Sequence, residues 1–377
     1  MIKQYEIPDV RDGLTSLQRR MLWTMKTMRL TSKNHYAKAA NVIRVAEEGE
    51  KELEKFFDFI YGDVMVPMTQ TWRYPQPLID GGYGNWGSPT GEYEPAAPRF
   101  TDCRLTAFAE KSLLTGLNQR TVKFVSNPNV PKGKEPSVLP ARFPNALLSG
   151  TSGSSHIPPH NLGEVIDACI AMLKNPDLKP EQLLDYIKGP DFPTGGTIIN
   201  KSDLPAIYQT GVGELRIRGV MDTETTSEGA KQITVKEIPY TMIGRVEEFI
   251  EYIQSEYMKE FFLPDIIGVE EIPGKRKEFK VHIILKKDAD VKRNTELLYE
   301  YSDLEDNFDY RALLTSNGKP SLMSLHQILI SWLDFYRETM TRQNRGVSPT
   351  EEDLVMELLK IKYQFAAPRK TKLIDVM

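Results

Sequence analysis

The chain has 377 residues, 40% of them hydrophobic and 27% charged, with a net charge of −4 and a pI near 5.9. That length predicts two or three domains, and that charge excludes a uniformly basic nucleic-acid binder. No apolar run approaches the roughly 20 residues that span a membrane, the start MIKQYEIPDVRDGL lacks a signal-peptide pattern, and two distant cysteines, Cys103 and Cys169, make neither a disulfide framework nor a metal site, so a cytoplasmic protein is expected.

Residues 14–30 place Leu14, Leu17, Met21, Met25 and Met28 at helical spacing, with Thr15 or Ser16 as the cap and Arg19, Arg20 and Lys26 largely off the stripe. Residues 34–45 and 46–62 predict two more helices. Charge divides between them. Residues 1–45 carry nine Lys or Arg against Glu6, Asp9 and Asp12, whereas 47–58 is acidic. A basic helix–turn–helix with Trp23 and Tyr36 can face phosphates or can be two solvated helix faces.

Residues 72–100 are dense in Gly, Pro and aromatics and read as a wing-like segment of loops and short strands. Helix is expected again over 101–117. The Gly/Ser run at 149–155 reads as a close-approach loop. Pro158 and Pro159 stop it, and Asn161 caps a helix over 162–175. From 196 to 300, alternating strands such as KQITVKEIPY and EFKVHIILKK enclose the helix IGRVEEFIEYIQSEYMKE, an α+β pattern. Long helices follow at 322–345 and 350–363, broken by GVSPT. His35, His156 and His160 have no metal-ligand spacing.

Several stretches in fixed order resemble one family. PDVRDGLTSLQRRML (8–22), GNWGSPTGEYEPAAPRFT (84–101), PSVLPARFPNALLSGTSG (136–153), IPPHNLGEVIDACIAML (157–173), DFPTGGTIIN (191–200) and ITVKEIPY (233–240) are similar to the A subunit of bacterial type IIA DNA topoisomerases, gyrase and topoisomerase IV. The resemblance implies an α+β fold: a winged-helix DNA-gate domain over 1–140, a tower domain over 141–320 and a shortened coiled-coil region over 321–377. It implies a homodimer on double-stranded DNA in the nucleoid. It also implies that Mg²⁺ and ATP belong to a partner B-type ATPase subunit, with no cofactor or metal held by this chain.

In that family a tyrosine oxygen attacks a DNA phosphate and stores the ester for resealing, while the preceding arginine stabilises the added negative charge. Here the tyrosine position is Phe100, the arginine Arg99 and the following residue Thr101. The resemblance further implies DNA contacts from Arg11, Arg19, Arg20, Lys38, Arg99 and Thr101, and a base-step wedge from Ile157. Three other departures accompany Phe100. The family's His-Pro-His-Gly-Asp falls on Glu54–Asp58, where only the Asp is kept. The loop before Ile157 is shortened, and KIKYQFAAPRKTKLI follows Arg345 almost directly, where a long coiled-coil hairpin is expected. By the same resemblance the segment that docks the ATPase subunit is expected to be short, and the C-terminal propeller is not expected. Four changes that each weaken one step of strand passage point to a homologue that does not cleave. The alternatives are an active enzyme carrying an engineered Tyr-to-Phe change, and a protein-interaction scaffold that excludes DNA.

Overall fold

The computed structural model describes residues 7–46, 57–127, 133–149, 153–225, 231–273 and 279–376. It is a mixed α+β protein, as expected. Most of Glu54–Asp58, and the acidic segment around it, lies outside the described residues.

The first helix, Ser16–Thr27, starts where Thr15 accepts the Gln18 N–H and the Gln18 side chain returns to the Thr15 N–H, a reciprocal cap. Its Leu17, Met21 and Met25 are buried, as their spacing predicts. The second helix, Ala39–Ala46, is shorter than expected because Ala37–Lys38 is drawn into a sheet with Asp102–Leu105. This pairing also corrects the helix expected over 101–117: residues 102–105 form the central strand between Ala37–Lys38 and Ile79–Gly81, and helix is confined to Ala107–Leu113. Alternating burial of Cys103 and Leu105 decides the matter, since one strand face is committed to the core.

Two large cores organise the chain. One runs through residues 10–217 and returns in 308–361, so the N-terminal region, the segment after 140 and the last two helices share it. The other lies within 233–304, where a four-stranded antiparallel sheet packs against the helices Val246–Gln254, Glu256–Phe261 and Val291–Tyr301. The single helix expected over IGRVEEFIEYIQSEYMKE is thus two, divided at Ser255, which caps the second.

The helices Leu325–Gln343 and Glu351–Phe365 are joined directly by residues 344–350. Beyond them the chain docks on the DFPTGGTIIN motif. Asp191 Oδ1 accepts the Lys370 and Thr371 N–H groups at 2.8 and 3.0 Å, and Lys372–Leu373 adds a parallel strand to Thr197–Ile198.

Candidate functional site

The turn that presents Phe100 is built from backbone hydrogen bonds. Phe100 N–H closes on Ala97 O at 2.8 Å. The carbonyls of Thr101 and Pro98 then accept from Ala39 and Ala40, at 2.9 and 3.1 Å. Those two N–H groups open the helix Ala39–Ala46 and lack partners within it. The turn therefore caps the helix, and the helix holds the turn.

Thr101 is buried and its hydroxyl lies 3.1 Å from Tyr61 Oη, which itself donates to Ala96 O at 2.6 Å. Tyr61 sits in a π-helical turn, Ile60–Met65, and burial pushes its pKa up. On the other side, Gly84 has φ +95°, and a Cβ there would stand 2.7 Å from Phe100 O. Both residues fix the position of Phe100. The clustered glycines of GGYGNWG hint at such an approach; nothing local marks Tyr61.

Phe100 is not a core residue: it is 58% exposed, and the Arg99 guanidinium stacks on its ring at 4.7 Å from the centroid. Arg99 is exposed and has no carboxylate partner among the described residues. A cation and an aromatic ring thus face solvent together on a rigid turn. That surface can bind an anion, but carbon at the ring's outer edge cannot act as an oxygen nucleophile.

A profile of the A-subunit family of DNA gyrase and topoisomerase IV matches residues 6–367. The chain belongs to this family. It is 38% identical over 353 residues to the chloroplastic/mitochondrial DNA gyrase A protein of Nicotiana benthamiana, covering 90% of this chain and 36% of that protein. It is 37% identical over 364 residues to the DNA topoisomerase 4 A protein of Bacillus subtilis, covering 92% and 42%. With the DNA gyrase A protein of Streptococcus pneumoniae the identity is 34% over 347 residues, covering 90% and 40%. The chain spans about two-fifths of the length of these relatives.

Arg11, Arg19, Arg20 and Lys38, expected on DNA by family resemblance, each pair with a carboxylate of the chain. Arg19 is buried, with Nε 2.6 Å and Nη2 2.9 Å from the fully buried Asp12. Arg20 is also buried and grips Glu135 through Nε at 2.9 Å and Nη2 at 3.1 Å. Arg11 forks onto Asp9, the main cause of its raised pKa. Lys38 pairs across strands with Asp102 at 2.8 Å. Ile157, expected as a wedge, is 1% exposed and packs in the main core. Among the described residues of the basic block, Arg29, Lys33 and Arg44 are exposed without a carboxylate partner.

Among the described residues, no helix is long and apolar enough to cross a membrane. Among the described residues, no three His, Cys, Asp or Glu side chains are grouped to hold a metal ion.

Proposed function

We propose that this chain is a duplex-DNA-binding, non-cleaving homologue of the topoisomerase A protein. In this reading residues 1–140 serve as a winged-helix DNA gate, 141–320 as a tower, and two copies form a dimer. A regulatory, decoy or structural role on DNA follows from fold kept and chemistry lost. The carrying observation is the exposed Arg99–Phe100 stack on a turn braced by Ala39, Ala40, Tyr61 and Gly84. In this reading the turn keeps the support of a nucleophile while Phe100 supplies no oxygen. The phosphate contacts are assigned to Arg99 and to Arg44, which lies on the helix capped by the Phe100 turn. Mg²⁺ and ATP enter with a B-type ATPase partner, and no step of this chain's own uses them.

The test has two parts. Anisotropy of a labelled duplex should show binding that weakens steeply with salt, because each phosphate contact releases counterion and contributes a log–log slope of about −0.9. Phe100→Tyr, mixed with a B-type ATPase partner, Mg²⁺ and plasmid, should form no covalent protein–DNA complex. Covalent cleavage by this variant would instead mark an active enzyme missing one atom.

A second reading has its own observation. Arg11, Arg19, Arg20 and Lys38 are all paired with carboxylates, as suits a protein-interaction scaffold that does not bind DNA. Failure to bind the duplex at low salt would favour it.

A further inference from the structure

A second site lies far along the chain from Phe100, in the unit built around the second core. The end of the helix Val291–Tyr301 meets the helices Val246–Gln254 and Glu256–Phe261 at a cleft of about 670 Å³. Five rings line it: Phe249, Tyr252, Tyr257, Phe262 and Tyr301. They stand at angles to one another. Phe262 and Tyr301 have centroids 4.4 Å apart with planes at 36°, and Tyr257 and Phe262 are 5.6 Å apart at 60°. Tyr252 and Tyr257 are 47% and 58% exposed. Phe249 belongs to the second core and Phe262 and Tyr301 pack against it, whereas Tyr252 and Tyr257 form the open side of the cleft.

Carboxylates occupy the same cleft. Glu248, Glu300 and Asp303 line it. Asp303 is 3.2 Å from Arg245 of the same chain, whereas Glu248 and Glu300 have no cationic partner among the described residues. The neighbouring Glu300 carboxylate pushes the Tyr301 pKa up. A ring face is negative through its quadrupole, and a cation within about 6 Å of the centroid is attracted to it. Ring faces and unpaired carboxylates therefore select the same sign of ligand and disfavour phosphate. The carboxylates are not grouped as metal ligands.

We infer that this cleft docks a lysine- or arginine-bearing segment of a partner protein, seating one cationic side chain among the rings with its charge against Glu248 and Glu300. A cleft of this size accepts a long aliphatic stem as well as its charged end. The unit would then hold a protein by a surface that repels DNA, independently of what the Phe100 face does.

The probe is fluorescein-labelled hexalysine or hexaarginine, titrated with the full chain, with hexaglutamate as control. The basic peptides should bind and hexaglutamate should not. Tyr257→Ala removes a largely exposed ring and no charge; it should weaken binding about fivefold. Glu300→Gln should do likewise, and Glu352→Gln on a separate helix should leave binding unchanged. Unchanged thermal midpoints of the variants establish that they fold. Equal binding by the parent chain and Tyr257→Ala would overturn the assignment, because attraction to the net negative chain alone ignores that ring. Spermidine bound as tightly as hexalysine would also overturn it, since the cleft would then recognise a free polyamine and not a protein segment.

Discussion

Asp12 and Arg19 form a buried, two-pronged ion pair, and the same carboxylate accepts the N–H groups of Leu14 at 3.1 Å and Leu139 at 2.8 Å. One side chain thus joins the PDVRDGL loop, the first helix and the segment entering the PSVLPARF motif. Gly13 tightens the same junction. Its φ is +64°, and a Cβ would lie 2.2 Å from Ala146 N. Burial disfavours the Asp12 charge, and the Arg19 guanidinium opposes that effect directly.

Removing one partner leaves the other charge buried. Arg19→Met is therefore expected to cost about 3–5 kcal/mol in urea unfolding. It should not change the salt slope of DNA binding measured on the fraction that remains folded. A reduced slope would place Arg19 on the phosphates.

Arg99 is expected to behave in the opposite way. Its exposed guanidinium supports little beyond the Phe100 ring, so Arg99→Ala should shift stability by no more than about 0.5 kcal/mol. In the duplex anisotropy assay it should reduce the salt slope by about one. An unchanged slope at full stability would remove Arg99 from the proposed interface.

Gly84→Ala tests the bracing of the turn. It places a Cβ against the Phe100 carbonyl and strains a positive φ, at a cost on the order of 1–3 kcal/mol. Calorimetry should show a lowered midpoint. Duplex affinity should also fall, because the displaced turn no longer caps Ala39 and Ala40. Full affinity in the folded variant would separate the turn from DNA binding.

His160 supplies a pH dependence. The ring is fully buried between Leu147 O, 3.1 Å from Nδ1, and Tyr208 Oη, 2.8 Å from Nε2. Burial holds its pKa down to about 4, against an ordinary 6.5. Between those values the unfolded chain binds a proton that the folded chain refuses, so stability is full above about 6.5 and falls as pH drops towards 4. The shift is worth roughly 3 kcal/mol. His160→Gln, compared with the parent by urea unfolding at pH 7 and pH 4, should reduce the acid loss by about that amount. An equal loss in both would show that His160 titrates normally.

The motifs that assign the family are contiguous, and so they are legible residue by residue. So are the phenylalanine after Arg99, the buried stripe of Leu17, Met21 and Met25, and the cap at Asn161, because each rests on spacing within a few positions. The strand at 102–105 is not legible that way: its pairing partners, 37–38 and 79–81, are distant, and the pairing overrides local helix preference. The charges of Arg19 and Arg20 are written in the chain, but their use is not. Arg20 finds Glu135 across 115 positions, and whether a cation meets a carboxylate or a solvent-facing phosphate depends on packing. For Phe100 the division is clear. Its lack of an oxygen is a fact of sequence, whereas its exposure, its stack with Arg99 and the helix capped behind it depend on tertiary structure, because burial belongs to the folded surface and not to the residue.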